Sequence, residues 1–242
     1  MIVAIHQPHY LPWLGYFAKM DQADVFVLLD NVQFKKQEWQ NRNKIKTAQG
    51  WQWLTVPVLQ RFPQGMAEVQ INQRVRWQHK HWQALCSHYS RALSFRCYEA
   101  CLAEILTQPW ERLVDLNVRV VTVLRDALGM RTPLLLASQL TDDPDPVGRL
   151  VAICQAVGAT TYLAGPDGKQ YMDVTRFAAH GIHVMEQQFR HPIYPQQFGA
   201  FLPAMAVVDL LFNLGPASLT TLRQAQQEEP HHDSPGHWGP SR

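Results

Sequence analysis

An α/β domain built on a parallel sheet, with an inserted β-hairpin and a helical middle segment, is the fold the sequence predicts. Three observations predict it. Strand, turn, helix and strand follow one another within the first thirty residues. Two β-compatible runs then meet at Ala48-Gln49-Gly50. From Trp77 to about Leu128 the apolar residues recur instead at three- and four-residue spacing. Parallel strands need a crossover longer than a tight turn, and the helix between the first two strands supplies one. The pattern is that of a Rossmann-like domain over residues 1–222, followed by a tail over 223–242.

Each element has its own signal. Met1–Ile5 is a short apolar run ending at a polar turn, as a buried strand does. Pro8 and Pro12 prevent regular helix throughout His6–Trp13. Leu14–Met20 reads as a short helix, and Ala23–Leu29 as a second apolar strand closed by Asp30. Trp39–Thr47 and Trp51–Val58 are the arms of the hairpin. On the first arm Arg42, Lys44 and Lys46 lie two apart, so alternation puts the three cations on one face, with Lys35 and Lys36 nearby in sequence. Helices are expected near 77–91, 97–107 and 110–128, the last capped by Gly129. Leu134–Ala137 is a strand, and the turn Asp142-Asp143-Pro144-Asp145-Pro146 starts a helix that runs to about Val157 and stops at Gly158. Thr160–Ala164 is a strand closed by Gly165-Pro166-Asp167-Gly168. A helix around Val174–His180, a strand at Ile182–Gln187 and a helix at Pro203–Leu214 complete the folded part. From about Gln224 Pro, Gly, His and acids mix without periodicity, which predicts disorder.

Composition narrows the class. At 46% hydrophobic and 17% charged residues the chain is globular. A net charge of +2 does not mark a nucleic-acid partner, and the basic residues are local, so none is expected. No run approaches the ~20 apolar residues of a membrane span, and the N-terminus lacks a basic leader, so a cytoplasmic protein without a membrane partner is expected. Cys86, Cys97, Cys101 and Cys154 show no C-x2-C spacing and are read as reduced, mostly buried thiols. No metal site is assigned, and no motif names a cofactor.

Five places carry candidate chemistry. His6, Gln7, His9, Tyr10 and Trp13 form a proline-stiffened turn just past a strand and before a helix N-terminus, where open α/β sheets bind ligands and where anions are favoured. Its imidazoles suit proton transfer near neutral pH. The turn is similar to the His-x-Gly-His turn of nucleotidyl-transferring enzymes, but Pro8 stands at the glycine position and has no N–H to offer. Asp30, at the end of the second strand, serves as a proton-transfer group, a ribose ligand or a turn cap. Arg42 is a two-pronged anion anchor flanked by Asn41 and Asn43, with Trp39, Trp51 and Trp53 as a stacking wall or as core. Gly165 to Lys169 is a glycine turn ending in lysine, without Walker spacing. Tyr194, Asp209 and Asn213 belong to the C-terminal part. Asp209 and Asn213 lie four apart in an apolar run, so the acid needs a partner, either a helix N-terminus, Arg42 or a ligand.

Two ordered sets of residues carry a resemblance. The first is His6-Gln7-Pro8, Pro12-Trp13, Gly15-Tyr16-Phe17, Ala23-Asp24, Asp30, Val32-Gln33-Phe34 and Trp39-Gln40-Asn41-Arg42-Asn43. The second is Tyr162-Leu163, Gly165, Tyr171, Phe177, Gly181-Ile182, Tyr194-Pro195-Gln196, Phe201 and Asp209-Leu210-Leu211-Phe212-Asn213. Together they resemble the WbqC-like family over residues 1–222. The resemblance implies a bacterial protein of surface-polysaccharide or O-antigen gene sets and a transferase acting on an amino sugar. It shifts weight to Gln7, Asp30, Asn41 and Arg42. At Ala164 and Ala206 it implies Ser, so a mechanism needing either hydroxyl is closed to this chain. The expectation is a transferase for a small anionic, sugar- or nucleotide-linked substrate, with His6 or Asp30 moving the proton. The competing expectation is a sugar- or nucleotide-binding module without turnover.

Overall fold

The computed structural model describes residues 1–59, 61, 63–166, 168 and 172–227. The chain opens with β1 (Ile2–His6), crosses through α1 (Leu14–Asp21) and returns parallel in β2 (Val25–Leu28), with His6 opposite Leu28. The hairpin follows as β3 (Arg42–Thr47) and β4 (Gly50–Thr55). Its turn is two residues long, one fewer than the sequence suggests. Gly50, at φ +120°, already pairs with Thr47, a backbone state open to glycine. A short ribbon of β5 (Val58–Leu59) and β6 (Gln70–Ile71), too brief to show alternation in the sequence, leads to α2 (Trp77–Tyr89), α3 (Phe95–Thr107) and α4 (Leu113–Ala127). Gly129, at φ +79°, ends α4 as expected. Then come β7 (Leu134–Leu136), α5 (Pro146–Ala156), β8 (Thr161–Ala164), α6 (Val174–Ala178), β9 (His183–Glu186), α7 (Val207–Leu214) and α8 (Ser218–Gln227).

Five strands make the central sheet in the order β7-β2-β1-β8-β9, every neighbouring pair parallel. The chain winds outward from β1 through β2 to β7, then returns to β8 and β9, as doubly wound α/β domains do. Alternation along the strands divides the core. Ala4, Phe26, Leu28 and Leu163 face α1, the hairpin and the helical segment. Val3, Ile5, Val27, Tyr162, Ala164 and Val184 face α5 and α6 through Val151, Ile153, Cys154 and Phe177. Each side is therefore a buried layer, which is why the strands read as continuous apolar runs.

Three expectations need correction. The helix expected from Pro203 begins at Val207. Ala204 has φ +58°, and Ala206 bridges Trp13 while giving its N–H to the Lys44 carbonyl at 2.8 Å, so this stretch is held extended against the hairpin. The chain is also still helical past Gln224. α8 buries Leu222 and Ala225, and Arg223 grips both oxygens of Asp21 at 2.8 Å, contacts that local composition does not announce. Residues 228–242, where the rest of the expected disorder falls, lie outside the described residues. Of the cysteines, Cys154 alone is fully buried. Cys97 is exposed because it lies off the apolar stripe of α3, and Cys86 and Cys101 are half-buried. Among the described residues no helix is long and apolar enough to cross a membrane.

Candidate functional site

β1 lies between β2 and β8, at the point where the winding reverses, and the crevice outside the carboxyl ends there is where such sheets take ligands. The residue at that end is His6. Its ring centroid is 4.6 Å from that of His9 and 4.8 Å from that of Tyr16, and His9 lies 5.6 Å from Tyr16. His6 Nδ1 is 3.1 Å from the Gln7 carbonyl. As the N–H donor of that bond it leaves Nε2 with a free lone pair. Lys19, on α1, is only 2% exposed and donates its amine to the Ile5 carbonyl at 2.9 Å.

Burial dominates the protonation of this cluster. It holds His6 well below its usual 6.5, with the charges of His9 and Lys19 adding to the effect. Burial alone lowers His9 to about 3 and Lys19 to about 7. At neutral pH both imidazoles are thus uncharged, and the amine titrates in the physiological range. Two side-chain atoms here have no hydrogen-bond partner, His9 Nδ1 and the Tyr16 hydroxyl, although the residues are only 8% and 1% exposed. Buried polar groups are normally paired, so the cluster has spare hydrogen-bonding capacity.

The turn carrying His6 and His9 is braced from every side. Asn117, buried on α4, donates to the carbonyls of Pro8 at 2.9 Å and Gln40 at 2.7 Å. Gln40 in turn donates to the Gln7 side chain at 2.6 Å. Asn43 holds the Leu11 carbonyl at 2.5 Å, fixing Leu11 at φ +44°, and Asn41 holds the Val56 carbonyl at 3.0 Å. The Tyr10 hydroxyl bonds His81 Nδ1 at 2.8 Å. The Trp13 indole covers Gly15, where a Cβ would fall inside the ring, and Gln187 from the end of β9 donates to the Gly15 carbonyl at 2.8 Å. Tyr10 and Asn43 therefore shape the turn through bonds within the protein, and Asn41 closes the base of the hairpin on Val56.

The remaining candidates go elsewhere. Asp30 accepts the Ser138 N–H on one oxygen at 2.9 Å and the Ser138 hydroxyl on the other at 2.6 Å, so both oxygens cap the turn after β7. Arg42 lies on the same hairpin that braces the turn, but on the opposite pleat face from Asn43, its guanidinium 4.2 Å from the Trp53 centroid. Lys44 shares that face, whereas Lys46 is 1% exposed and gives its amine to the Ala200 carbonyl at 2.5 Å. Asp209 does not meet Arg42. It accepts from the hydroxyls of Tyr89 and Tyr194 and from Gln196, each at 2.8 Å, while Asn213 bonds the Asp209 main-chain carbonyl at 2.7 Å. Burial raises Asp209, and these donors oppose the rise. Gly165 follows β8 beside open space; Lys169 lies outside the described residues. Two cavities, of about 670 and 320 Å³, lie between Lys36 and Gln70 and between the hairpin and α2, and neither is walled by His6 or Arg42.

The profile of the WbqC-like protein family matches residues 7–221. The chain belongs to the WbqC-like family. It is also 37% identical over 229 residues to uncharacterized protein Rv1507c of Mycobacterium tuberculosis (strain ATCC 25618 / H37Rv), covering 93% of this chain and 99% of that one. No solved structure matches it.

In this WbqC-like protein the residues that sequence reasoning passed over are Lys19, Asn117 and Gln187, while Tyr16 entered only through the family resemblance and not as a site residue. Lys19 did carry a signal, since it is the one charged residue in the run Leu14–Met20, as Asp209 is in Val207–Leu214; Asn117 stands among Asp115, Arg119 and Thr122 and has no such contrast. Among the described residues no group of three or more His, Cys, Asp or Glu stands close enough to hold a metal ion.

Proposed function

We propose that this WbqC-like protein is a transferase that takes a small anionic, sugar- or nucleotide-linked substrate at the carboxyl end of β1, within the surface-polysaccharide or amino-sugar metabolism that the family resemblance implies. The observation that carries the reading is the pair of unpartnered buried atoms, His9 Nδ1 and the Tyr16 hydroxyl, beside His6 at the reversal point of the sheet. His6 is the proton acceptor in this reading. It is neutral at pH 7, and its Nε2 takes the proton of the attacking hydroxyl or amine while Nδ1–H stays on the Gln7 carbonyl. The attacking atom bonds to the transferred group as the donor's own bond to that group breaks, and the electron pair of that bond departs with the anionic leaving group. His9 and Tyr16 complete the substrate's hydrogen bonds, and the Lys19 amine offsets negative charge. Positioning and electrostatics of this kind provide several orders of magnitude in rate without a covalent intermediate.

One observation favours the second reading, a binding module without turnover: Asp30, the carboxylate that the sequence offers for proton transfer, is fully engaged by Ser138. A thermal-shift screen against nucleotides, nucleotide-sugars, acyl-CoA and amino acids separates the two. A ligand at one hundred times its dissociation constant stabilises by ~2.7 kcal/mol. For a transferase, a stabilising pair of substrates yields product, and His6→Ala abolishes turnover while the fold persists. If ligands bind and no mixture yields product, the binding reading stands. If no ligand shifts the wild type, the site is wrong.

A further inference from the structure

We infer that the outer edge of β4 is a docking site for an extended acidic peptide segment, added to the hairpin as a third strand. The register fixes which main-chain groups face outward. Thr47 and Gly50 close the two-residue turn, and the Val56 N–H reaches the Asn41 carbonyl at 2.8 Å. Between these ends the antiparallel alternation turns Gln52 and Leu54 towards β3 and the N–H and C=O groups of Trp51, Trp53 and Thr55 away from it. On β3 the corresponding outward groups are in use: the Lys46 N–H donates to Tyr89 at 2.9 Å, and the Lys44 carbonyl accepts from Ala206 at 2.8 Å. On β4 the Thr55 carbonyl accepts from His81. Trp51 and Trp53 remain, in a sheet of two strands.

Natural edges are protected by charge, proline or a cover. The strand Gly50-Trp51-Gln52-Trp53-Leu54-Thr55 has neither charge nor proline, and Trp51 is 46% exposed. Alongside it runs the cavity of about 320 Å³, walled by Gln52 to Thr55 and by Trp77, Lys80, His81 and Ala84 of α2. Its described wall includes Lys80 and no carboxylate. On the other pleat face Lys44 sits 4.4 Å from the Trp51 centroid and 5.1 Å from that of Trp53, beside Arg42. A strand laid along this edge meets unpaired main-chain groups, cations and apolar wall together. That combination selects an extended chain with carboxylates on one face and apolar side chains on the other.

The test uses a capped heptapeptide alternating Glu and Val as probe, with Trp fluorescence and calorimetry on the full chain. Saturable binding that weakens with salt, falls at least tenfold when alternate amides of the peptide are N-methylated, and falls at least tenfold in Lys44→Glu supports the inference. Lys44→Glu must keep the wild-type melting temperature; if it does not, Lys80→Glu replaces it. Equal binding of a Lys-Val peptide, indifference to N-methylation or no binding at 1 mM overturns it. So does a concentration-dependent dimer that the probe fails to dissociate, which would give the edge to a second copy. The inference is independent of the β1 reading, because His6→Ala leaves probe binding unchanged if both hold.

Discussion

An imidazole buried without a partner resists a proton far more than one in water, and for His9 that resistance makes folding stability depend on pH. Its pKa is about 3 in the folded protein, against 6.5 for the ordinary side chain. Between those values the unfolded chain binds a proton that the folded one refuses. Folding stability is therefore complete above 6.5 and is lost as pH falls towards about 3, by up to ~1.4 kcal/mol per pH unit for this one group. His9→Phe keeps a ring in the same space and removes the titration. Urea unfolding at pH 7, 6 and 5 is expected to show a shallower loss in His9→Phe than in wild type. Identical slopes would mean that His9 is not held neutral. Gly15 gives a second test at this scale. Alanine favours helix over glycine by about 1 kcal/mol, yet the added methyl lands in the Trp13 ring. Gly15→Ala is expected to lower stability by ~1–3 kcal/mol as Trp13 is displaced, and a raised melting temperature would show that the indole moves freely.

The elements are joined by single polar side chains, and those joints are where substitutions act most strongly. Asn117 ties α4 to both the first turn and the start of the hairpin through two buried carbonyls. Asn117→Ala leaves both without that donor and is expected to cost about 2 kcal/mol or more, read as a lowered urea midpoint. Asp209 plays the same part for α7, α2 and the segment before α7. Asp209→Ala strands two hydroxyls and an amide and is expected to cost ~3–5 kcal/mol, with Asp209→Asn milder because it keeps the shape; equal losses would deny the carboxylate its role. Apart from β5, β6 and α8, the elements themselves were legible in the sequence because helix and strand periodicity is local. Their joints were only half legible. Alternation placed Arg42, Lys44 and Lys46 on one face but could not say that Lys46 is covered by the segment around Ala200 or that Arg42 lies on Trp53. Asp30 allowed a catalytic and a capping reading, and only Ser138, 108 residues later, decides what its oxygens meet. β5 and β6, two residues each, carry no periodicity at all.

At the scale of the molecule, the sheet separates two buried layers, and its carboxyl edge at β1 is where the first turn, α1 and the end of β8 converge. The hairpin edge at Trp51 and Trp53 belongs to a separate two-stranded unit. A ligand taken at β1 must therefore quiet a different part of the chain from a strand added at β4, and amide hydrogen exchange distinguishes them. A ligand that binds only the folded state at one hundred times its dissociation constant slows local opening at its site by up to about 100-fold. For a substrate of the β1 site, slowing is expected in residues 7–16, Ala164 and Gly165, with the Trp51 and Trp53 amides exchanging as in the free protein. The Tyr10 amide is already bonded to the Trp39 carbonyl at 3.1 Å, so its protection should rise least within the turn. Slowing confined to Trp51 and Trp53 would move the small-molecule site onto the hairpin and leave His6 without a substrate to act on.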